Sequence, residues 1–249
     1  MPRTARKLSE TGTYHLMLRG INRQVIFEDK QDFEHFIGVL AYGKEASGFE
    51  LFAYCLMDTH VHILLRVGEE PLEILMRRIA SKYVYWYNAK YQRIGHLFQD
   101  RFLSEPVNDD AYFITVLRYI HRNPIKADLC ANADEYIYSS YLDYMGRSGI
   151  VDTGLVLSMM SKEELARYTA TNNDDKCLEV PERPNRRVTD EQARGIIERV
   201  SGCSSVSDFQ QLPIDKRNTA LSQILSSGVS IRQACRLTGL SFGIVRKFA

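Results

Sequence analysis

The 249-residue chain is 45% hydrophobic and 25% charged, with a formal net charge of +1, values that are typical of a globular protein. No run reaches the ~18–20 apolar residues of a membrane span, and the basic N-terminus lacks the apolar stretch of a signal peptide. The five cysteines are scattered without a C-x-x-C pair, which argues against a disulfide framework or a zinc knuckle and predicts a cytoplasmic protein with no membrane partner.

The first part of the chain, residues 1–145, alternates strand-like and helix-like segments. Periodicity and turn signals predict, in order, a strand at Thr13–Arg19, a helix at about Gln31–Ser47, strands at Phe49–Met57 and Val61–Val67, a helix from Pro71, a short strand at His96–Phe102, and a helix from about Asp109 to Asn123, where Pro124 stops it. This order predicts an α+β domain with an antiparallel sheet and its helices packed on one face.

The rest of the chain is predicted to hold a linker and a second unit. Residues 146–187 are polar and turn-rich, and we interpret them as a linker around a short helix at Lys162–Tyr168. A helical unit is predicted over residues 188–249. It begins where Thr189 and Gln192 have the spacing of a capping box.

The end of this helical unit has the pattern of a helix-turn-helix. Ser230 and Ser241 each precede a helical segment, and Gly239 lies between the two segments as a turn. From Lys216 onward the sequence has six Lys or Arg residues and no Asp or Glu, a composition that favours an anionic partner. The pattern predicts DNA binding, although a helical bundle that uses the same turn only for packing remains open. The candidate DNA contacts are Arg232, Arg236, Arg246 and Lys247.

Two histidines separated by one residue occur in the segment MDTHVHILL. Because side chains alternate along a strand, His60 and His62 are expected to project from the same face. The apolar residues expected on the opposite face are Val61, Ile63 and Leu65. Two neutral imidazoles on one strand can share a divalent cation. A polar pair without a metal has the same pattern, so the histidines alone leave both interpretations open.

A tyrosine and an amide occur one helical turn apart in the segment VLRYIHRNP. Tyr119 and Asn123 lie on one side of the helix, at the flank of its apolar stripe, so we expect Tyr119 to look out from the edge of the core. The Asn123 carbonyl oxygen is a hard ligand that suits Mg²⁺ or Mn²⁺. His121 is expected at the surface or against DNA, whereas His15 on the first strand is expected in the core.

The combined pattern resembles a known family of DNA-processing enzymes. MDTHVHILL with a downstream RYIHRNP is similar to the single-tyrosine HUH (His-hydrophobic-His) transposases of small insertion sequences, especially their REP-associated tyrosine transposase branch. The segments YHLMLRGINRQVIFED and HLFQDRF are similar to the same branch, so the resemblance covers about residues 8–130. It implies a ferredoxin-like α+β sheet, in agreement with the order of elements, followed by a C-terminal all-α DNA-binding extension.

The resemblance also implies roles for the residues named above. It implies that His60, His62 and Asn123 hold a divalent metal, either Mg²⁺ or Mn²⁺, and that Tyr119 is the nucleophile. The implied reaction is cleavage and rejoining of single-stranded DNA, at hairpin repeats, through a 5′-phosphotyrosine intermediate. The implied partner is single-stranded or hairpin DNA, and the protein acts as a homodimer or as a monomer.

Basic residues cluster in sequence around the predicted site. Guanidinium groups suit contacts with phosphates and base edges, and the alternative interpretation is a solvated surface. The candidate DNA contacts of the first domain are Arg19, Asn22, Arg23, Arg101, Arg122 and Lys126. Arg23 and Arg122 stand out among them by their position.

Three alternative functions remain open. Replication initiators and relaxases share the chemistry but place their histidines and tyrosine in other orders or use two tyrosines. A domesticated DNA-binding regulator without turnover would keep the sheet and the helix-turn-helix. An RNA-binding module would need aromatic side chains exposed on the sheet strands, and HLFQDRF is a weak version of that pattern.

Overall fold

The computed structural model describes residues 6–172, 175–178, 188 and 190–248. The chain divides into two compact units, Met1–Glu179 and Val180–Ala249, and each unit has its own hydrophobic core. Within the described ranges, no helix combines the length and the apolar character that crossing a membrane requires.

The first unit is built around a four-stranded antiparallel sheet. Its elements are β1 (Thr13–Arg19), α1 (Lys30–Ser47), β2 (Glu50–Met57), β3 (His60–Arg66), α2 (Leu72–Lys90), β4 (Leu103–Pro106) and α3 (Asp110–Lys126). The strand order across the sheet is β2-β3-β1-β4, and all neighbouring strands are antiparallel. With α1 and α2 as the long connections, this is a ferredoxin-like arrangement, so the predicted α+β fold is confirmed.

Local sequence signals set the ends of α1 and the hairpin that follows it. The Asp29 carboxylate caps α1 by accepting from two backbone N–H groups of the first turn, which have no partner within the helix itself. Gly48 ends the helix at φ +60, a left-handed conformation that glycine adopts without strain. A tight turn at Asp58 and Thr59 joins β2 to β3, as the segment MDTH predicts.

Helices cover both faces of the sheet, which corrects the expectation that they share one face. α1 and α2 pack against the face that carries Leu16, Tyr54 and Ile63. α3 packs against the opposite face, where Cys55 and Leu64 join its apolar residues in a second core. Periodicity identifies an apolar stripe on a helix, but it does not identify the face of the sheet that the stripe covers.

The segment predicted as the last strand, His96–Phe102, is not a regular strand. Phe98 makes an isolated bridge to Gly20. The backbone at Asp100 is left-handed, with φ 55, and this conformation interrupts an extended chain. Regular pairing with β1 begins at Leu103, so the strand starts after the predicted segment ends.

The third helix continues through Pro124 to Lys126, whereas the sequence predicts an end near Asn123. A proline lacks an N–H group and removes the hydrogen bond to the carbonyl four residues earlier. Only the Ile120 carbonyl loses its intrahelical donor in this way, and the helix ends two residues after the proline, so little helical structure is interrupted.

Residues after α3 extend the first unit beyond the predicted boundary at residue 145. They form three further helices, α4 (Tyr141–Tyr144), α5 (Gly154–Met159) and α6 (Lys162–Ala170). Val156 of α5 and Leu165 of α6 are buried in the core beneath α3. The predicted linker 146–187 therefore begins as part of this core, and its residues 173–174 and 179–187 lie outside the described residues.

The second unit is helical, as predicted. Its elements are α7 (Asp190–Ser201), α8 (Val206–Gln211), α9 (Ile214–Ser226), α10 (Ile231–Thr238) and α11 (Phe242–Val245). The Ser230 hydroxyl caps α10, and Gly239 ends that helix in a left-handed conformation at φ +68. Ser241 precedes α11 without a side-chain cap hydrogen bond. The predicted cap residue Thr189 lies outside the described residues.

Candidate active site

β3 presents two histidines to the face of the sheet that α3 covers. His60 and His62 lie opposite Arg19 and Met17 in the pairing with β1, and the centroids of the two imidazole rings are 5.1 Å apart. His62 is buried, and His60 is half-buried at the start of the strand. The residues of β3 that alternate with these and face the opposite core are Val61, Ile63 and Leu65.

Each of the two histidines has one ring nitrogen in a hydrogen bond. His62 Nδ1 is 2.9 Å from Nε2 of His15 on β1, and His60 Nδ1 is 3.1 Å from the Thr59 hydroxyl. In both rings, Nε2 is the nitrogen left to act as a ligand atom. An imidazole that binds a metal usually has its other ring nitrogen hydrogen-bonded in this way, so the pair fits a metal site.

Burial keeps these imidazoles neutral, the form in which histidine binds a metal. Burial lowers the pKa of His15 to about 3. Burial, together with the positive charge of Arg19, lowers the pKa of His60 to about 4. The pKa of His62 lies well below its ordinary value, mainly because of burial and then because His15 and His60 are close. A charged imidazole would lose its hydration here.

Tyr119 lies against the histidines inside the core. Its side chain is only 3% exposed, which corrects the expectation that it looks out from the flank of α3. Its ring meets those of His62 and His15 edge-on, at centroid distances of 5.6 Å and 5.8 Å. The Lys126 ammonium lies 4.5 Å from the centroid of the tyrosine ring, within the range of a cation–π interaction.

Asn123, the predicted third ligand, is buried one turn after Tyr119 on α3. Its amide nitrogen donates a 3.0 Å hydrogen bond to the Tyr119 carbonyl, so the amide oxygen is the atom left to act as a ligand. Among the described residues, no hydrogen bond joins Asn123 to His60 or His62. The same residues contain no cluster of three or more His, Cys, Asp or Glu side chains suited to a metal. The predicted ligand set is of another kind, because its third member, Asn123, is an amide.

Two arginines, Arg19 and Arg23, place positive charge near His60. Arg19, opposite His60 in the sheet, donates a 2.8 Å hydrogen bond to the Gln99 side chain. Burial, and then the charge of nearby Arg23, lowers the pKa of Arg19. Asn22 and Arg23 are exposed and have left-handed backbone conformations, with φ 54 and 59. An anion bound at this loop would reduce the repulsion between the two arginines.

Two arginines of α3 bind the end of α6 and the segment that follows it. Arg118 donates two 2.8 Å hydrogen bonds to the Asp175 carboxylate. Arg122 is buried and donates to the Thr169 carbonyl at 2.6 Å and to the Asn172 side chain at 3.0 Å. The expectation that Arg122 contacts DNA is not supported by this position, because α6 covers its side of α3.

His121 is buried as well, which corrects the expectation that it lies at the surface or against DNA. Its Nε2 is 3.0 Å from the Ser140 hydroxyl, and its ring contacts those of Tyr141 and Tyr144 edge-on. Burial lowers the pKa of His121 to about 3. The chain around α4 covers this side of α3, and helical periodicity does not reveal that cover.

The remaining predicted DNA contacts lie at the surface of their own units. Arg101 is exposed near Arg6, beside β4. In the second unit, Arg236 forms an ion pair with Asp190. The other exposed candidates of that unit are Arg232, Arg246 and Lys247.

Sequence reasoning missed two features of this site. The first is the contact of His15 with His62, which requires knowing that β1 and β3 are neighbours. The sequence contains a sign of this contact, because side chains alternate along a strand and His15 must face the side opposite to Leu16, away from the core of α1 and α2. The second is the contact of Arg118 with the segment after α6. The polar composition of residues 146–187 does not indicate that this segment binds α3.

Residues 9–123, which include the four strands and most of α3, match the family described as "Transposase IS200 like". This segment is therefore similar to the IS200-like transposases. The predicted resemblance to the single-tyrosine transposases is confirmed over that segment.

Two solved structures show the extent of the likeness. A REP-associated tyrosine transposase bound to a REP hairpin aligns with 18% identity and a TM-score of 0.53, over 74% of this chain and 98% of its own; at that identity the likeness concerns the fold. A putative transposase from Deinococcus radiodurans R1 aligns with 16% identity and a TM-score of 0.35, over 49% of this chain and 97% of its own, a score too low to support an argument. No curated protein matches this chain.

Proposed function

We propose that this protein is a metal-dependent, single-stranded DNA transposase that cleaves and rejoins DNA through a 5′-phosphotyrosine on Tyr119. In this proposal His60, His62 and Asn123 hold the metal, Mg²⁺ or Mn²⁺. The observation that carries the proposal is the contact of the Tyr119 ring with His62, on the face of the sheet to which both histidines project. Catalysis by positioning requires the nucleophile and the groups that bind the phosphate to be close neighbours.

The proposed reaction is a balanced phosphoryl transfer. The phenolic oxygen of Tyr119 attacks the phosphorus of a DNA phosphodiester, and the bond from phosphorus to the 3′ oxygen breaks. The phenol gives up its proton and the departing 3′ oxygen takes one up, which leaves a 3′-hydroxyl and a 5′-phosphotyrosine. A different 3′-hydroxyl can then attack the stored ester and join two strands without a nucleotide cofactor.

The residues around Tyr119 support this attack in distinct ways. The Lys126 ammonium, beside the ring, stabilises negative charge that develops on the phenolic oxygen. Arg19 and Arg23 provide positive charge beside His60, where it attracts a DNA phosphate. Because the side chain of Asn123 is bonded to the Tyr119 carbonyl, the proposed ligand and the nucleophile keep a fixed spacing on α3.

The proposed ligands suit a divalent cation of mixed nitrogen and oxygen preference. They are two neutral imidazoles, of His60 and His62, and the amide oxygen of Asn123. When bound, such a cation offsets the negative charge of the phosphate and favours in-line attack. The burial of His62 and its hydrogen bond to His15 hold that imidazole in place before any ligand arrives.

We extend the proposal to hairpin DNA as the substrate. The solved transposase of similar fold is bound to a REP hairpin, and a hairpin offers both a single-stranded flank for cleavage and a duplex stem. The second unit would bind the stem through α10 and α11 in the manner of a helix-turn-helix. Its proposed contacts are Arg232, Arg246 and Lys247, which are exposed.

A covalent-capture assay tests this function. Full-length protein is incubated with labelled hairpin DNA and Mg²⁺ or Mn²⁺, and a denaturing gel is searched for a protein–DNA band. We expect the band in wild type, and we expect its loss in Tyr119→Phe and with a chelator. Tyr112→Phe, which removes a hydroxyl from the same helix, is the matched control and should keep the band. An equally strong band in Tyr119→Phe would overturn the proposal.

A DNA-binding regulator without turnover is the second candidate, and the burial of Tyr119 favours it. A side chain that is 3% exposed reaches a phosphate only if neighbouring chain moves away. The regulator would bind the same hairpin tightly, yet it would give no covalent band with either cation. Measuring affinity and covalent capture on one substrate therefore separates the two functions.

A further inference from the structure

We infer that His15 is a positioning residue that holds His62 in the tautomer able to bind the metal. The inference rests on the proposed function, because it concerns the metal site described above. Its basis is the 2.9 Å hydrogen bond between His15 Nε2 and His62 Nδ1. Both side chains are buried, at 0% and 1% exposed.

The register of the sheet sets this hydrogen bond. His15 lies opposite Leu64 and His62 lies opposite Met17, so the two histidines are diagonal neighbours on adjacent strands. Side chains in diagonal positions on one face of an antiparallel pair are within reach when they are long or aromatic. Regular backbone pairing of β1 with β3 therefore keeps the two rings within hydrogen-bonding distance of each other.

The bond between the two neutral rings has two proton arrangements. A neutral imidazole has one N–H donor and one acceptor nitrogen. If His62 donates from Nδ1, its Nε2 carries a lone pair and can bind a cation. If His15 donates from Nε2 instead, His62 keeps its proton on Nε2 and cannot be a ligand through that atom. Only the arrangement in which His15 accepts is compatible with the proposed site.

The other ring nitrogen of His15 argues against a purely structural role. His15 Nδ1 is buried and has no hydrogen-bond partner among the described residues. A buried polar atom without a partner lowers stability, whereas an apolar side chain of similar size would avoid that cost. The residue with this unfavourable atom contacts both His62 and the Tyr119 ring, and a positioning role accounts for its presence there.

Two variants at position 15 separate positioning from packing. Glutamine in His15→Gln can accept from His62 Nδ1–H through its amide oxygen, whereas leucine in His15→Leu fills space without accepting. We expect His15→Leu to weaken Mn²⁺ binding, measured by electron paramagnetic resonance, by about ten- to hundredfold. We expect His15→Gln to stay close to wild type. His121→Gln, which changes a buried histidine bonded to Ser140, is the matched control.

The ring ¹⁵N spectrum of histidine-labelled protein provides a readout other than activity. With Mg²⁺ present, His62 should carry its proton on Nδ1 in wild type and in His15→Gln, and should show mixed tautomers in His15→Leu. Circular dichroism would verify that each variant is folded. Unchanged Mn²⁺ affinity and an unchanged His62 tautomer in folded His15→Leu would overturn the inference alone. Absence of Mn²⁺ binding in wild type would overturn the proposed metal site and this inference together.

Discussion

Burial changes the chemistry of individual polar residues in the first unit. His121 is 0% exposed, and the loss of hydration lowers the pKa of its imidazole to about 3 from an ordinary value of 6.5. The ring is therefore neutral in the folded protein over the whole range in which a free histidine titrates. In the unfolded chain the same ring takes up a proton below its ordinary pKa, so protonation is linked to unfolding.

The sign of this linkage predicts acid sensitivity. The free energy of unfolding that neutral His121 contributes is fully present above pH 6.5 and declines as the pH falls toward about 3, because in this range only the unfolded chain gains the proton. Each such histidine adds a slope of up to about 1.4 kcal/mol per pH unit. Urea unfolding between about pH 7.5 and 4.5 should show a shallower decline for His121→Gln than for wild type. Equal slopes in the two proteins would contradict the pKa assigned to His121.

Residue spacing was enough to identify the candidate groups but not their surroundings. The spacing of His60 and His62, and of Tyr119 and Asn123, is visible in the sequence, and the order of these motifs carries the resemblance. The burial of Tyr119 and the bond from His15 to His62 depend on residues far apart in the chain. His15 and His62 are 47 residues apart, and only the strand order makes them neighbours.

At the scale of elements, the segment after α6 binds α3, the helix that carries Tyr119 and Asn123. Arg118 donates to both oxygens of the Asp175 carboxylate, from Nε and Nη2 of its guanidinium group. Lys126 donates a 3.2 Å hydrogen bond to the Asp175 carbonyl, and Arg122 binds residues just before it. Lys126, which lies beside the Tyr119 ring, is thus hydrogen-bonded within the protein, as are Arg118 and Arg122. A phosphate that approached these side chains would compete with their present partners.

Asp175→Asn should strengthen DNA binding. The change removes the negative charge that Arg118 binds, and this frees a guanidinium group for a phosphate. We expect the affinity for a single-stranded oligonucleotide to rise by about three- to tenfold at low salt, equivalent to roughly 1 kcal/mol, in a fluorescence anisotropy titration. Glu50→Gln, which removes an equal charge from the ion pair with Arg66, is the control. A comparable rise in both variants would mean that net charge alone is responsible.

Element types were easier to predict from the sequence than element faces and ends. The capping signals of α1 and the hairpin turn are local, so they were correctly identified. The last strand was misplaced because apolar residues of the segment from His96 to Phe102 pack beside β1 without extended pairing, and left-handed Asp100 breaks the strand. The packing of α3 on the second face of the sheet was not predicted, because the apolar stripe of a helix does not specify which surface it covers.

At the scale of the whole molecule, the chain joins two units with separate cores. The family match lies within the first unit, at residues 9–123. The second unit has no acidic residue from Lys216 to the end of the chain. One of its basic residues, Arg236, is paired with Asp190, so we assign the proposed DNA contact to Arg232, Arg246 and Lys247, of which the last two are adjacent.

The double variant Arg246→Gln/Lys247→Gln should separate stem binding from cleavage. If these side chains bind phosphates of a duplex stem, the variant should bind a hairpin more weakly, with a salt dependence reduced by about two in the slope of log K against log salt. Covalent capture of a short single strand should stay at the wild-type level. Arg199→Gln/Lys216→Gln, two exposed cations elsewhere in the unit, is the charge-matched control. An equal loss of hairpin affinity in both double variants would contradict a localised contact.

The proposed reaction leaves Tyr119 joined to the 5′ end of cleaved DNA. Peptide mass spectrometry of full-length protein, after incubation with hairpin DNA and Mn²⁺ and trimming of the DNA by nuclease, detects this bond. We predict a peptide in which Tyr119 carries nucleotides attached through a 5′-phosphate. Nucleotides attached to a different residue, or cleaved DNA with a free 5′-phosphate and no modified peptide, would contradict it.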